Sequence, residues 1–309
     1  MSVIGDKAQP LNKAPSAPDV ETPFMRFRSD FMESRVAAVA LALLILIILI
    51  AIFAPLIAPQ NPYDLAQVDI LESRQPPGAK SFQGYIFLLG SDGAGRDLFS
   101  AILYGLRISL SVGAMSGVIA LAIGSVIGLA AAYSGGRTEA FIMRIVDIQL
   151  SFPAILIALM LLAVFGKGVD KIMIALVTVQ WAYYARTVRS SALVERSKEY
   201  VEAANCLCLS HKRILFGHIL PNCLAPLIVV GTVQTAHAIA LEATLSFLGV
   251  GLPQTEPSLG LLISNGFEYM LSGRYWISFF PGIALLITIV SINLVGDQLR
   301  DVLNPRLQK

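Results

Sequence analysis

Residues 36–58 read VAAVALALLILIILIAIFAPLIA, an apolar run without a single charged or polar side chain. At a rise of about 1.5 Å per residue, a helix of this length crosses a hydrocarbon core about 30 Å thick. A signal peptide has a shorter apolar core that lies nearer the start of the chain, whereas 35 residues precede this run. The run therefore predicts a first transmembrane helix.

The composition of the whole chain agrees with a membrane protein. Of 309 residues, 55% are hydrophobic and only 14% are charged, and the mean hydropathy is +0.69. Soluble domains carry about 25% charged residues. The net charge of +2 is too small to indicate a nucleic-acid-binding protein, and no basic stretch is interleaved with aromatic residues. We therefore expect a lipid bilayer, and not nucleic acid, as the partner.

Five further apolar stretches predict an all-α, polytopic fold with six transmembrane helices. These stretches are residues 107–133, 140–165, 170–188, 224–248 and 276–296. The second span carries four glycines whose spacing allows close packing of helices in lipid; they are Gly113, Gly117, Gly124 and Gly128. Pro153 lies within the third span.

The sequence predicts five consecutive segments. They are a cytoplasmic tail with an interfacial helix (1–35), the first span (36–58), an extracytoplasmic loop (59–102), a core of five transmembrane helices (103–300) that includes a cytoplasmic loop at about 190–221, and a cytoplasmic C-terminal tail (301–309). The first 23 residues contain four prolines and few large apolar groups, which predicts disorder. The interfacial helix is predicted from one shared apolar face, formed by Phe24, Phe27, Phe31 and Met32.

The positions of Lys and Arg predict the orientation. With six spans both termini share one side, and that side holds 16 of the 23 basic residues. The positive-inside rule then places both termini and the 186–221 segment in the cytoplasm. Residues 59–102 and 249–275 become the large external loops.

A polar segment before the fifth span contains Glu202-Ala203-Ala204 and, farther on, His218-Ile219-Leu220-Pro221-Asn222. A helix is predicted over Ser197–Leu209, and Ser210 is placed to cap a second helix. Val201, Ala204 and Cys208 would share one face of the first helix. Because Pro221 ends the pattern directly before a span, the segment is predicted to be a helix-turn-helix that transmits force to a transmembrane helix.

These residues resemble the EAA loop of the inner-membrane permease subunits of ATP-binding-cassette importers, which has the form Glu-Ala-Ala-x3-Gly-x9-Ile-x-Leu-Pro. The chain is most similar to the second permease subunit of dipeptide and oligopeptide importers. The supporting stretches are Leu89–Asp97, Tyr104–Leu110, Ser151–Pro153, Glu242–Gly249 and Asp301–Arg306. The resemblance covers roughly residues 30–307.

The resemblance implies a type I importer permease fold and a set of partners. These are a second, homologous permease subunit, two cytoplasmic ATPase subunits that bind ATP and Mg, and an extracytoplasmic substrate-binding protein. It also implies that seven residues couple the chain to the ATPases, namely Glu202, Ala203, Ala204, Cys208, Leu220, Pro221 and Asn222. Short peptides are the expected substrates; nickel, glutathione and opine-like compounds are the alternatives within the same branch.

The chain departs from the family pattern at two positions. Cys208 replaces the family glycine, and His218 replaces the isoleucine. A glycine at position 208 would allow a left-handed turn between the two short helices, and a cysteine in that conformation costs on the order of 1 kcal/mol. The sequence leaves open whether the turn is strained or remodelled.

The sequence predicts a transport subunit without catalytic residues. No Gly-x4-Gly-Lys-Ser/Thr phosphate-binding loop occurs, so ATP hydrolysis belongs to other polypeptides. Cys206, Cys208 and His211 lack a second pair of metal ligands, so the three cysteines of the chain (Cys206, Cys208 and Cys223) are interpreted as free thiols on the reducing side of the membrane. The expected location is the bacterial inner membrane.

Four ionisable residues outside the coupling loop are candidates for contact with substrate or with the binding protein. Arg96 and Asp97 lie in the first external loop, and His237 and Glu242 lie in the fifth span, where ionisable groups are functional candidates. Near the cytoplasmic end of the third span, Asp147 is expected to pair with Arg144, one turn away.

Two other classes of protein are weighed against this hypothesis. An ion-coupled secondary transporter would show two related halves with broken helices, and no such repeat is present. An intramembrane enzyme needs a nucleophile with its base or a set of metal ligands, and neither His-Glu-x-x-His nor Gly-x-Ser-x-Gly occurs.

Overall fold

The computed structural model describes residues 23–64 and 68–303. Within these ranges the chain forms α-helices and no β-strand, apart from two isolated bridges in the first external loop. In chain order the helices are α1 (Pro23–Glu33), α2 (Arg35–Ile52), α3 (Ala54–Ile57), α4 (Leu98–Ser134), α5 (Gly136–Ser151), α6 (Ala154–Phe165), α7 (Val169–Arg196), α8 (Glu199–Cys206), α9 (His211–Ile214), α10 (Leu220–Asn222), α11 (Leu224–Phe247), α12 (Leu259–Phe267) and α13 (Trp276–Leu303). The predicted all-α class is confirmed.

Four of the described helices, α2, α4, α11 and α13, are long and apolar enough to cross a membrane. The predicted third span is not one straight helix, because α5 and α6 meet at an angle of 88°. Pro153 has no N–H to donate and disfavours helical geometry at the preceding residue, and Phe152 is accordingly extended. Counted as one span, this pair raises the total to five.

The predicted fourth span corresponds to α7, which has 28 residues but is not apolar enough to count as a span by composition. Asp170 and Lys171 lie in its first turn, and Arg186 and Arg189 lie farther along it. The six-span count therefore stays a prediction for this helix. One face of α7 is buried against α4 and α11, so its environment is set by protein neighbours on that side.

Helices α4 and α7 pack backbone against backbone, as the glycine spacing predicts. A Cβ on Gly124 would lie 2.5 Å from the carbonyl oxygen of Trp181, and one on Gly128 would lie 2.5 Å from the carbonyl oxygen of Ala185. Gly113 and Gly117 instead face side chains of α11. The glycines thus hold α4 between two other helices.

Several predicted boundaries differ from the structure. The second long helix begins at Leu98 and not at 107, because the Asp97 carboxylate accepts a hydrogen bond from the N–H of Ser100 and caps the helix there. The first external loop accordingly ends at residue 97 and not at 102. Helix α13 continues to Leu303, so the predicted C-terminal tail starts later than residue 301.

The predicted interfacial helix is present as α1, and part of its apolar face is covered by this chain. Phe31 is buried and Phe27 half-buried, and both pack against the α13 residues Val295 and Val302. Met32 is exposed. Of the disordered tail predicted for residues 1–23, residues 1–22 lie outside the described residues and Pro23 begins α1. Residues 304–309 also lie outside the described residues.

Candidate functional site

The helix-turn-helix predicted below the membrane is present and forms the candidate coupling site. We call residues 197–222 the coupling loop. Its first helix is α8, and its second helix begins at His211 after Ser210, whose side chain makes no capping hydrogen bond. A π-helical turn (Leu215–Ile219) and α10 continue the second helix to Asn222, and only Cys223 separates it from α11.

One side of the coupling loop is buried against the C-terminal parts of α4 and α7. Four of its side chains join a hydrophobic core with Tyr184, Val188 and Leu129; they are Val201, Ala204, Ile214 and Ile219. Val201 and Ala204 share the predicted face, but Cys208 is exposed and does not. This core makes the loop, α4 and α7 one packed unit.

The opposite side of the coupling loop is open. Glu202 and Ala203 are exposed, and Leu207 is 74% exposed at the end of α8. The Glu202 side chain forms no hydrogen bond or ion pair with the described residues. Ala204 points into the core, so only Ala203 of the two alanines presents its methyl group to a partner.

A polar network, which the sequence analysis did not find, ties the two ends of the coupling loop to α7. Glu195 accepts hydrogen bonds from Lys198 Nζ (2.7 Å) and from the Tyr200 hydroxyl (2.7 Å). The amide nitrogen of Asn222 lies 3.3 Å from the Tyr200 oxygen and donates to the carbonyl of His218 at 2.7 Å. Asn222 is thereby linked to α8 and to the end of α7.

The ionisation of this network follows from its surroundings. Burial, together with the hydrogen bond to Glu195, raises the pKa of Tyr200 to about 12. Burial works against the charged form of Glu195, but the hydrogen bonds from Lys198 and Tyr200 outweigh it and hold the pKa of this carboxyl below its ordinary value. The carboxylate form of Glu195 and the phenol form of Tyr200 therefore hold the network together at neutral pH.

Cys208 adopts the left-handed conformation that the family glycine would favour, with φ 53°. It occupies the position after the helix end, where the N–H of Cys208 bonds to the carbonyl of Asn205 and the N–H of Leu209 to that of Ala204. This is the Schellman arrangement of a helix C-terminus, in which glycine is the usual residue. The turn is therefore strained and not remodelled.

We expect the substitution Cys208→Gly to raise the free energy of unfolding by about 1 kcal/mol, because glycine adopts a positive φ without steric cost. Cys206→Gly is the matched control, since Cys206 ends α8 with ordinary helical geometry and glycine destabilises helices by up to about 1 kcal/mol. Thermal unfolding of the purified protein measures both shifts. Equal shifts for the two variants would contradict the strained turn.

A second contact that the sequence did not indicate joins the turn to α4. The Tyr133 hydroxyl hydrogen-bonds Nδ1 of His211, and Arg196 Nη1 donates to the carbonyl of Ala132 at 2.9 Å. Tyr133 and Ala132 lie in the last turn of α4, so the second helix of the coupling loop and the end of α7 are both fixed to it. No pattern in the sequence pairs residues so far apart.

Arg96 and Asp97 are buried, and their contacts hold the segment before α4 in place. Arg96 forms an ion pair with Asp92 at 2.7 Å, and its guanidinium reaches the carbonyl of Gln254 at 3.4 Å. Asp97 caps α4, and its own N–H donates to Gln60 Oε1 at 2.6 Å. Both residues therefore stabilise the loop, while Asp97 Oδ1 has no hydrogen-bond partner among the described residues and Arg96 lines a cavity. Their contact with a binding protein stays a prediction.

Glu242 and His237 lie on the same helix in different surroundings. Glu242 is 0% exposed and accepts hydrogen bonds from Ser109 on α4 (2.9 Å) and from Ser246 (2.8 Å). It joins helices and is closed to substrate. His237 is exposed in a cleft. Asp147 pairs with Arg186 of α7 at 2.5 Å, and the expected pairing with Arg144 is wrong.

Comparison with known proteins assigns the chain to a family. Residues 120–309 match the family described as "Binding-protein-dependent transport system inner membrane component", and residues 22–77 match the "N-terminal TM domain of oligopeptide transport permease C". The chain belongs to this family. The membership confirms the resemblance read from the coupling loop.

Two curated relatives match nearly the whole chain. One is a putative peptide transport system permease protein of Brucella suis, 41% identical over 294 residues that cover 95% of this chain and 96% of the relative. The other is the dipeptide transport system permease protein DppC of Escherichia coli, 39% identical over 298 residues that cover 96% of this chain and 98% of the relative.

Solved structures confirm the predicted permease fold. Two inward-facing crystal forms of the MetNI methionine ABC transporter contain a chain with TM-scores of 0.54 and 0.55 to this one. The similarity covers 66% and 67% of this chain and 96% and 98% of those chains, at 18% and 19% identity. At such identities the likeness concerns the fold alone.

Proposed function

We infer that this chain is the permease subunit of an ATP-driven, binding-protein-dependent importer, in which it forms half of the translocation path. The observation that carries this inference is the coupling loop, an amphipathic helix-turn-helix with one side in the core of the permease and the other open. Its open side presents Glu202, Ala203 and the apolar Leu207. We propose that this open side meets an ATPase subunit.

The partners proposed for this function are a second permease subunit, two ATPase subunits and an extracytoplasmic binding protein. ATP and Mg would bind to the ATPase subunits, because this chain has no phosphate-binding loop. Within the described residues, no group of three or more His, Cys, Asp or Glu side chains is placed to hold a metal ion. The chain itself would carry no catalytic residue.

The distribution of basic residues supports a bacterial plasma-membrane location with both termini in the cytoplasm. Arg189, Arg196 and Lys212 lie on the side of the coupling loop, together with the N-terminal basic residues. This orientation puts the open side of the coupling loop where a cytoplasmic ATPase can reach it. Residues 59–97 then face the binding protein.

The geometry supports a direct transfer of motion. Force on the open side of the loop passes to α4 and α7 through the core around Val201 and Ile214, and to α11 across Cys223. The Glu195–Tyr200–Asn222 network keeps the two ends of the loop from moving apart. Closure of the ATPase pair would therefore favour one arrangement of the spans, and its opening another.

Short peptides are the proposed substrates. The names of the two curated relatives support this class of substrate, since one is named for peptide transport and the other for dipeptide transport. The test is reconstitution of the chain in proteoliposomes with the second permease, the ATPases and the binding protein. We expect uptake of a labelled dipeptide or tripeptide that requires ATP. Uptake of nickel, glutathione or an opine in place of peptide would refute the proposal that short peptides are the substrates. Uptake driven by an ion gradient without the ATPases would refute the assignment to ATP-driven importers.

A further inference from the structure

A polar cleft runs along the membrane-spanning part of α7, α11 and α13. It consists of two adjoining cavities of about 630 and about 410 Å³ that share Tyr183, Val233 and Gln234 as lining residues. These volumes fall in the range of small-molecule sites. The first cavity extends toward the cytoplasmic ends of the helices, where Asp297 and Arg300 line it, and the second adds His237 and Asn293.

The polar residues of the cleft lie deep within the spans. His237 is 13 residues above the start of α11, and Tyr183 is 13 residues above the end of α7. At about 1.5 Å per residue both are roughly 20 Å from the cytoplasmic ends of their helices. Asn293 lies at a similar level on α13, roughly 15 Å from its end. Side chains of this kind at such a depth face a protein or water interior and not lipid.

Gln234 provides a second, independent sign of a ligand. It is only 7% exposed and lines both cavities, yet its Oε1 atom has no hydrogen-bond partner among the described residues. A buried carbonyl oxygen without a donor has lost its hydrogen bonds to water without compensation, which is unfavourable. The cost disappears when a bound molecule presents an N–H group to the cleft.

The opposite side of α11 has a different character. A cavity of about 690 Å³ between α2, α4 and α11 is lined mostly by aliphatic side chains, among them Leu44, Ile48 and Ile228. Lipid tails or apolar side chains suit such a surface. On this side α11 contributes Ile228, Thr232 and Thr235, and Arg107 of α4 also lines the cavity. The buried amide of Gln234 and the imidazole of His237 line only the cleft on the other side of α11.

We propose that the cleft between α7, α11 and α13 is the section of the translocation path that this chain contributes, and that it binds the main chain of the peptide. The Gln234 carbonyl accepts a peptide N–H, while Asn293 and His237 lie beside it with groups that can bond peptide carbonyls. Contacts of this type ignore side-chain identity, so the cleft accepts peptides of varied sequence. The proposal rests on the proposed function for the class of its substrate.

The test compares Val233→Cys with Ile228→Cys in the reconstituted complete importer. The two positions have similar exposure, 42% and 48%, and lie on opposite sides of α11. A charged, membrane-impermeant methanethiosulfonate is added with ATP present, and modification is followed by peptide mass spectrometry. The native Cys206 and Cys208 lie on the side of the coupling loop that the ATPase is proposed to cover, so both are replaced by serine, and a small thiol added to the same sample serves as the reference for reagent activity.

We expect Val233→Cys to react roughly tenfold faster than Ile228→Cys, because only a thiol in contact with water forms the reactive thiolate. Depth alone predicts the reverse, since Ile228 lies five residues nearer the cytoplasmic end of α11. We also expect saturating tripeptide and binding protein to slow the reaction of Val233→Cys and to leave Ile228→Cys unchanged. If Val233→Cys does not assemble, His237→Cys replaces it in the same cleft.

Equal rates, or a faster reaction at Ile228→Cys, would overturn the assignment of the path. A fast reaction at Val233→Cys that peptide does not slow would overturn the binding of peptide in the cleft. Uptake of tripeptide by the same vesicles is measured in parallel. Absence of ATP-dependent uptake by the unsubstituted complex, with fast labelling at Val233→Cys, would count against the proposed substrate and not against the path.

Discussion

Reversal of one exposed charge in the coupling loop should separate ATP hydrolysis from transport. We expect Glu202→Lys to lower ATP-driven peptide uptake about tenfold or more, which corresponds to a loss of about 1.4 kcal/mol in coupling free energy. Glu202 lies in the first turn of α8, where a carboxylate interacts favourably with the helix dipole, and its side chain forms no hydrogen bond or ion pair with the described residues. Its replacement therefore changes the surface offered to the ATPase and leaves the core intact.

The measurement is uptake and ATP hydrolysis in the same proteoliposomes. We expect hydrolysis to continue without stimulation by the loaded binding protein, while the thermal unfolding of the permease shifts little. Glu33→Lys is the control, because it makes the same charge change at an exposed position in α1, away from the coupling loop. Wild-type uptake per ATP in Glu202→Lys, or an equal loss in Glu33→Lys, would contradict the role of this residue.

The two alanines of the loop give a second comparison of the same surface. Ala203 is exposed, whereas Ala204 is buried against α4 and α7. We expect Ala203→Trp to block uptake while the protein keeps its stability, because the indole fills the space a partner must enter. Ala204→Trp should destabilise the protein by overpacking its core. Loss of stability in both variants would show that the loop has no open side.

The sequence predicts those features that depend on residues near each other in the chain. The apolar run at 36–58 is long enough to cross a membrane by itself, and the spacing of the glycines in α4 predicts close helix packing. At position 208 the sequence leaves two alternatives, a remodelled turn and the left-handed turn that the family glycine would allow. Cys208 adopts the left-handed turn because two backbone hydrogen bonds hold it there. The residue type alone does not decide between the two conformations.

Contacts between distant residues escape this kind of reasoning. Asp147 has Arg144 one turn away, but the bend at Pro153 and the approach of α7 bring Arg186 within 2.5 Å instead. Glu242 is predicted as a candidate for contact with substrate or with the binding protein, yet it lies between Ser109 and Ser246 with no exposed surface. Neither partner could be inferred, since helix packing decides both.

The same limit applies to the candidate site. The motif residues Glu202, Ala203 and Asn222 could be located on the coupling loop from sequence, but the opposite orientations of Ala203 and Ala204 could not. The Glu195–Tyr200–Asn222 network also depends on where α10 returns to α7. A Glu and a Tyr five residues apart at a helix end form no recognisable motif.

Replacement of a single hydrogen at Gly128 should destabilise the packing of α4 against α7. The Cβ of Gly128→Ala would lie 2.5 Å from the carbonyl oxygen of Ala185 and 2.9 Å from the Cβ of Val188. Because the nearest atom belongs to the backbone of α7, the clash is relieved only if the two helices move apart. We expect a loss of about 1–3 kcal/mol for Gly128→Ala and failure of Gly128→Leu to accumulate in the membrane.

Gly231→Ala, on α11, is the matched control, since the added Cβ would have no neighbouring atom within 4 Å. At this position alanine should be neutral or slightly stabilising, because its helix propensity is higher than that of glycine. Thermal unfolding in detergent measures both variants, and the amount of protein in isolated membranes measures Gly128→Leu. The expected difference arises from the distance between the helices and not from the added methyl group. Equal stability of Gly128→Ala and Gly231→Ala would therefore mean that α4 and α7 do not pack backbone to backbone, and the core that supports the coupling loop would have to be rebuilt.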